Sequence, residues 1–142
     1  MIRILIVGLG SIAKKHLNAL RKLNVDAEIY ALRSSKLTGD WPGIISIYSI
    51  DELKGSPDFI IISNPTIHHY QALHEVIKLG CPLFIEKPVL HNLAESEELL
   101  EVIEKNNLQT YIGCHLRFHD SLNYVKNFLS SSEEKISPFL SE

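Results

Sequence analysis

Ile2-Arg3-Ile4-Leu5-Ile6-Val7-Gly8-Leu9-Gly10-Ser11-Ile12-Ala13 is the stretch that decides the fold. Its first six residues form a short β-branched run that stops at a glycine, the mark of a strand buried on both faces. From Ser11 to Leu23 the spacing turns helical. Ile12, His16, Leu17, Leu20 and Leu23 share one stripe, with Lys14, Lys15, Asn18, Arg21 and Lys22 on the other. Strand, glycines and helix together fit G-x-G-x-x-G/A. Gly8 allows the tight turn, Gly10 has no Cβ to keep a pyrophosphate from the backbone, and Ala13 lets the helix lie close to the strand. The free N–H groups at the helix start then attract phosphate. The plainer alternative is that both glycines only permit a tight β–α turn.

The pattern repeats along the chain. Strands are expected at Ala27 to Leu32, Ile44 to Tyr48, Asp58 to Ser63, Pro82 to Glu86 and Leu108 to Gly113. Between them, Ser49 stands three residues before Glu52 as a capping box, and Thr66 can cap a helix from Ile67 to Leu79 that ends at Gly80. Asn92 to Asn106 reads as an acidic amphipathic helix with Leu93, Leu99, Leu100 and Ile103 as its apolar members. Arg33 to Gly43 is a polar loop, Ser121 to Ser130 a last helix, and residues 130–134 a polar linker. Alternating strands and helices with short connections imply an α/β fold, a doubly wound parallel sheet of about six strands with helices on both faces. Right-handed crossovers put every strand's C-terminal end on one edge, where ligands bind.

Composition excludes other classes. The chain has 142 residues, 45% hydrophobic and 22% charged, with a net charge of −3. That is one ordinary globular domain, not a disordered chain. The mild acidity and scattered Lys and Arg give no reason to expect a nucleic acid or an anionic membrane as partner. No apolar run approaches the roughly 18 residues that cross a bilayer. The opening strand stops at Gly8-Leu9-Gly10 without a small-residue cleavage site, so it does not read as a signal peptide. Cys81 and Cys114 make no disulfide framework and read as inert core thiols of a cytoplasmic protein. His115 and His119 stand four apart beside Cys114, but His115 is expected at a strand end, and no metal site is expected there.

The second strand bears on the choice of cofactor. An NAD site usually has an acid about 20 residues beyond the glycines, bonded to the ribose 2′-hydroxyl. Here the strand ends Tyr30-Ala31-Leu32-Arg33-Ser34-Ser35-Lys36. With no acid present, Arg33, Ser34 and Lys36 can hold a 2′-phosphate, which favours NADP over NAD. The alternative is a basic loop that is merely solvated.

Two further motifs carry a resemblance. Asn64-Pro65-Thr66-Ile67-His68-His69 and Phe84-Ile85-Glu86-Lys87-Pro88 follow Gly8-Leu9-Gly10-Ser11-Ile12-Ala13-Lys14-Lys15-His16 in order and spacing. Together they resemble the glucose–fructose oxidoreductase/inositol dehydrogenase (Gfo/Idh/MocA) family, and Arg117-Phe118-His119 resembles the segment after its sixth strand. The resemblance implies a Rossmann domain in which Gly8, Gly10, Ser11 and Ile12 line the pyrophosphate. It places Asn64, Pro65 and His69 beside the crossing from adenosine to nicotinamide, with Glu86 and Lys87 near the nicotinamide ring. It gives Lys87 the catalytic role of binding a substrate hydroxyl and assisting its proton relay, and it suggests a cis peptide before Pro88. His16 is open to either a packing role or cofactor contact. His68 and His69 can equally be plain helix-start residues.

The resemblance also implies a second domain that binds a sugar, polyol or sugar derivative. The likeness runs from Met1 to about Ile136, and the tail at 137–142 does not resemble that domain's first strand. The expectation is therefore an NAD(P)-binding domain over 1–136, inactive or weakly active as this chain alone. The surface left without a second domain, around Lys87, His91 and Arg117 to Tyr124, is expected to be apolar and open to self-association. A non-catalytic nucleotide-binding or regulatory module, or a truncated relic, is the competing expectation.

Overall fold

The computed structural model describes residues 1–36, 39 and 41–131. The expected linker beyond Ser131, the boundary at Ile136 and the tail at 137–142 lie outside the described residues. Six parallel strands form one sheet: β1 (Ile2–Val7), β2 (Ala27–Leu32), β3 (Ile45–Ile47), β4 (Phe59–Ile62), β5 (Leu83–Ile85) and β6 (Thr110–Ile112). Their order is β3-β2-β1-β4-β5-β6. The chain starts in the middle, winds outward one way, returns across β1 and winds outward the other way. That reversal opens a crevice beyond the C-terminal ends of β1 and β4, where doubly wound sheets bind nucleotides.

The register explains why β1 is apolar on both faces. Ile4 and Ile6 point to one side, where they pack with Ala13 and Leu17 of helix α1 (Ser11–Lys22), and with Ile29 and Ile61. Leu5 and Val7 point to the other side, toward Leu73 and Val76 of α2 (His69–Val76) and Leu99 of α3 (Ser96–Lys105). Both helix layers are thus keyed to alternate residues of one strand.

Several boundaries differ from the sequence reading. Ser49 does form its capping box with Glu52 over a short 3-10 turn, Ile50–Glu52. Thr66 does not cap a helix. It starts a 3-10 turn, Thr66–His68, after Pro65 with no side-chain cap, and α2 follows from His69. Gly80 ends that segment in the left-handed region at φ 67°, as expected. Asn92 caps a 3-10 turn that leads into α3, by accepting from the Ala94 N–H. Leu23, Leu93 and Leu100 are exposed rather than core: Leu23 follows the end of α1, Leu93 precedes α3, and Leu100 lies off the face on which Leu99 and Ile103 pack. The last helix, α4 (Asp120–Ser131), has no buried residue.

Leu17 is fully buried and Leu23 is 73% exposed on the same helical stripe. Leu17→Ala is expected to cost about 2–5 kcal/mol of folding stability. Leu23→Ala should change it by less than about 0.5 kcal/mol. Urea midpoints of the two variants check the difference.

Candidate dinucleotide site

The turn after β1 is fixed by contact as well as by conformation. Gly8 has φ +84°, and a Cβ built there would lie 2.7 Å from the Asn64 Cα. The chain after β4 therefore passes directly against the turn. Ser63 holds it there: its hydroxyl lies 3.1 Å from the Val7 carbonyl oxygen and 3.3 Å from that of Gly8, both of which can accept its proton. Gly10 differs. Its φ of −84° suits any residue, and a Cβ there would meet nothing within 4 Å. Its missing side chain leaves open space in front of the backbone.

That space faces the start of α1. Gly10 is the N-cap, no side chain caps the helix, and its first turn holds no acid. The first N–H groups of a helix have no intrahelical acceptor. With Lys14 and Lys15 following, this end of the helix is electropositive.

A cavity of about 760 Å³ lies against these donors. It is within the usual range for cofactor pockets. Gly8, Gly10, Ser11 and Ile12 form one wall, Arg33, Ser34 and Tyr48 a second, and Asn64, Pro65, His68, Gln71 and Glu75 a third. The structure thus gathers Gly8, Gly10, Ser11, Ile12, Arg33, Ser34, Asn64 and Pro65 from separate parts of the chain. Arg33 is only 6% exposed, and its Nη1 donates to the Ser46 hydroxyl at 3.0 Å. Lys36 is not in the wall; its ammonium sits 5.0 Å from the centre of the Tyr48 ring, a cation–π contact.

The other expected site residues lie outside the cavity wall. His69 is buried, with Nδ1 3.0 Å from the Val89 carbonyl oxygen and Nε2 2.9 Å from that of Asn64. Its neighbour His68 is the histidine that reaches the cavity. Asn64 donates from Nδ2 to the His68 carbonyl at 3.1 Å, while its buried Oδ1 has no protein partner. That oxygen is an unused acceptor on a residue that borders the cavity. Glu86 turns toward α1, its Oε1 2.7 Å from His16 Nε2. Lys87 is exposed just beyond β5, and the Lys87–Pro88 peptide is cis.

Sequence reasoning missed Tyr48, His68, Gln71 and Glu75. The last three fall at helical spacing on one side of the α2 segment, a signal available once that helix faces the crevice. The cysteines divide. Cys81 is buried, and desolvation pushes its thiol pKa up; Cys114 is exposed, not a core thiol. His115 begins a 3-10 turn, His115–Phe118, and does not end the strand. Among the described residues no group of three His, Cys, Asp or Glu gathers as a metal site requires.

Comparison with known proteins gives the family and the fold. A family model described as an oxidoreductase family with an NAD-binding Rossmann fold matches residues 2–114. The oxidoreductase YrbE of Bacillus subtilis is 25% identical over 142 residues, covering 90% of this chain and 40% of the relative. Inositol 2-dehydrogenase of Corynebacterium glutamicum is 23% identical over 143 residues, covering 93% and 42%. Scyllo-inositol dehydrogenase of Lactobacillus casei, solved with NAD(H) and scyllo-inositol, superposes with a TM-score of 0.77 at 27% identity. That match covers 92% of this chain and 41% of the other. The chain thus spans less than half the length of these relatives.

The two glycines separate folding from binding. Gly8→Ala should lower stability by about 1–3 kcal/mol or more, from the positive φ and the Asn64 contact. Gly10→Val should stay within about 1 kcal/mol of the parent, since only cap preference changes. It should nevertheless abolish dinucleotide binding by filling the space before the α1 donors. Thermal unfolding and calorimetric titration of both variants check the pair.

Proposed function

This chain belongs to the Gfo/Idh/MocA oxidoreductase family, and on that premise we propose that it is the dinucleotide-binding unit of an oxidoreductase acting on a sugar, polyol or sugar derivative. The observation that carries the reading is the cavity built against the uncapped start of α1. The residues fit the cofactor. Backbone donors at Ser11 and Ile12, with the open face of Gly10, suit a pyrophosphate. Asn64 and Pro65 flank it, and Glu86 and Lys87 stand beyond it toward the nicotinamide end. When bound, the dinucleotide supplies hydride exchange. Lys87 supplies the complementary charge: its ammonium stabilises the oxygen of the substrate alcohol or carbonyl and assists the movement of its proton.

NADP is the favoured dinucleotide. Arg33 and Ser34 border the cavity where β2 ends, and among the described residues the acid that lines it, Glu75, comes from α2 and not from the end of β2. Lys36, above Tyr48, adds positive charge to the same side. The scyllo-inositol dehydrogenase carries NAD(H), so this preference is where the present chain would depart from it. A desolvated charge-assisted contact is worth about 1.5–3 kcal/mol, or roughly ten- to a hundredfold in affinity. Arg33→Ala should therefore weaken NADPH by about that factor and NADH much less. Equal losses in calorimetric titrations would remove Arg33 from the reading.

Catalysis by this chain alone is expected to be weak or nil. Lys87 is exposed to water and does not line the cavity. Orientation and water exclusion can supply about 7–11 kcal/mol of a barrier reduction. The same openness supports the competing reading, a nucleotide-binding module without chemistry. Of the expected Arg117 to Tyr124 stretch, Phe118, Leu122 and Tyr124 are exposed, and two copies would associate there in a cytoplasmic setting. Following NADPH absorbance with sugars, inositols and their keto forms should show no turnover near one per second. Turnover at that rate, lost in Lys87→Ala, would make the domain self-sufficient.

A further inference from the structure

The segment Glu86-Lys87-Pro88-Val89 leaves the sheet at the end of β5 and is held by two histidines. One is His16, on the second turn of α1. Its Nε2 lies 2.7 Å from Glu86 Oε1, with both side chains largely buried at 22% and 15% exposed. Phe84 stands edge-on to the His16 ring, with centroids 5.1 Å apart. Gly113 closes the other side, since a Cβ there would lie 3.2 Å from the Glu86 carboxylate. The carboxylate is thus boxed in and aimed at α1.

His69 is the other, at the start of α2. It is 1% exposed, and its two ring nitrogens face two backbone carbonyls. The Val89 carbonyl oxygen is 3.0 Å from Nδ1, and that of Asn64 is 2.9 Å from Nε2. A carbonyl oxygen only accepts, so the ring nitrogen that carries the proton donates to the carbonyl it faces, and the tautomer sets which of the two that is. The ring spans from the cavity-lining turn after β4 to the residue just past Pro88.

Each histidine therefore joins an element that lines the cavity to the strap that carries Lys87. His16 rides on the helix whose N-terminus forms the cavity wall, and the His69 ring is wedged between the carbonyls of Asn64 and Val89. The strap itself does not line the cavity. We propose that His16 and His69 are positioning residues that couple occupancy of the dinucleotide cavity to the placement of Lys87. The proposal rests on the dinucleotide reading of that cavity. It gives the two helices a common role, because closing on a pyrophosphate also sets the lysine that faces the substrate.

ADP tests the coupling, because it can fill the adenosine and pyrophosphate part of the cavity and has no nicotinamide to touch Lys87. Backbone amide resonances of Lys87 and Val89 are followed by nitrogen–proton NMR as ADP is added to saturation, with binding measured in parallel by calorimetry. Both amides should shift in the parent chain. His16→Leu should abolish the Lys87 shift while ADP still binds. His16→Gln, whose amide N–H can donate to Glu86, should restore it. His69→Leu should abolish the Val89 shift. If that variant does not fold, the His69 ring nitrogens of the parent chain give the same readout and should shift with ADP.

Lys87 and Val89 amides unmoved in a parent chain that binds ADP would overturn the coupling and leave the dinucleotide site standing. Shifts unchanged in His16→Leu and His69→Leu would overturn it as well, as would His69 ring nitrogens that do not move. No ADP binding by the parent chain would instead overturn the dinucleotide reading, and the coupling with it.

Discussion

The constraint on which the site depends is the crossing of Gly8 and Asn64, backbone against backbone. A single methyl group on Gly8 would lie 2.7 Å from the Asn64 backbone. The ends of β1 and β4 can approach so closely only because that methyl is absent. Ser63 then ties the two ends together through the Val7 and Gly8 carbonyls. Everything that makes the site follows from this contact. It directs α1 away from the sheet with its N-terminus toward the crevice, and it sets the Asn64-Pro65 turn as the opposite wall.

Burial of β1 on both faces is what makes the constraint hold. With Ile4 and Ile6 on one side and Leu5 and Val7 on the other, the strand cannot slip by one residue, because the two faces pack against different helices. The turn is therefore presented at a fixed height. A rigid sheet carrying irregular turns at one edge is the general solution for positioning a ligand. Here the irregular parts are the glycine turn, the Arg33-Ser34 corner, the Asn64-Pro65 turn and the Glu86–Val89 strap.

Much of this is legible in the residues, and the limits of legibility are physical. β1, α1 and β2 can be read because hydrophobic period and glycine punctuation are local signals; Gly8 can be read because a turn there needs positive φ. The cis peptide before Pro88 follows from the family resemblance, not from the composition. Local signals fail where partners come from afar. His69 sits at a helix start like many surface histidines, and only the fold reveals Val89 and Asn64 on either side of it. His16 falls on an apolar stripe, and its partner Glu86 is 70 residues away. Thr66 has the chemistry of a cap, but Pro65 and a 3-10 turn begin the segment instead. Leu93 and Leu100 fit an amphipathic pattern yet are exposed, while Leu99 and Ile103 of the same segment pack on the core.

The α1 N-terminus as the pyrophosphate site is the claim on which the functional reading depends. The most direct measurement is a crystal structure of this chain grown with NADPH. The expected result places the pyrophosphate within hydrogen-bond distance of the Ser11 and Ile12 amides, against the open face of Gly10. A pyrophosphate bound elsewhere, with those amides facing only water, would contradict it.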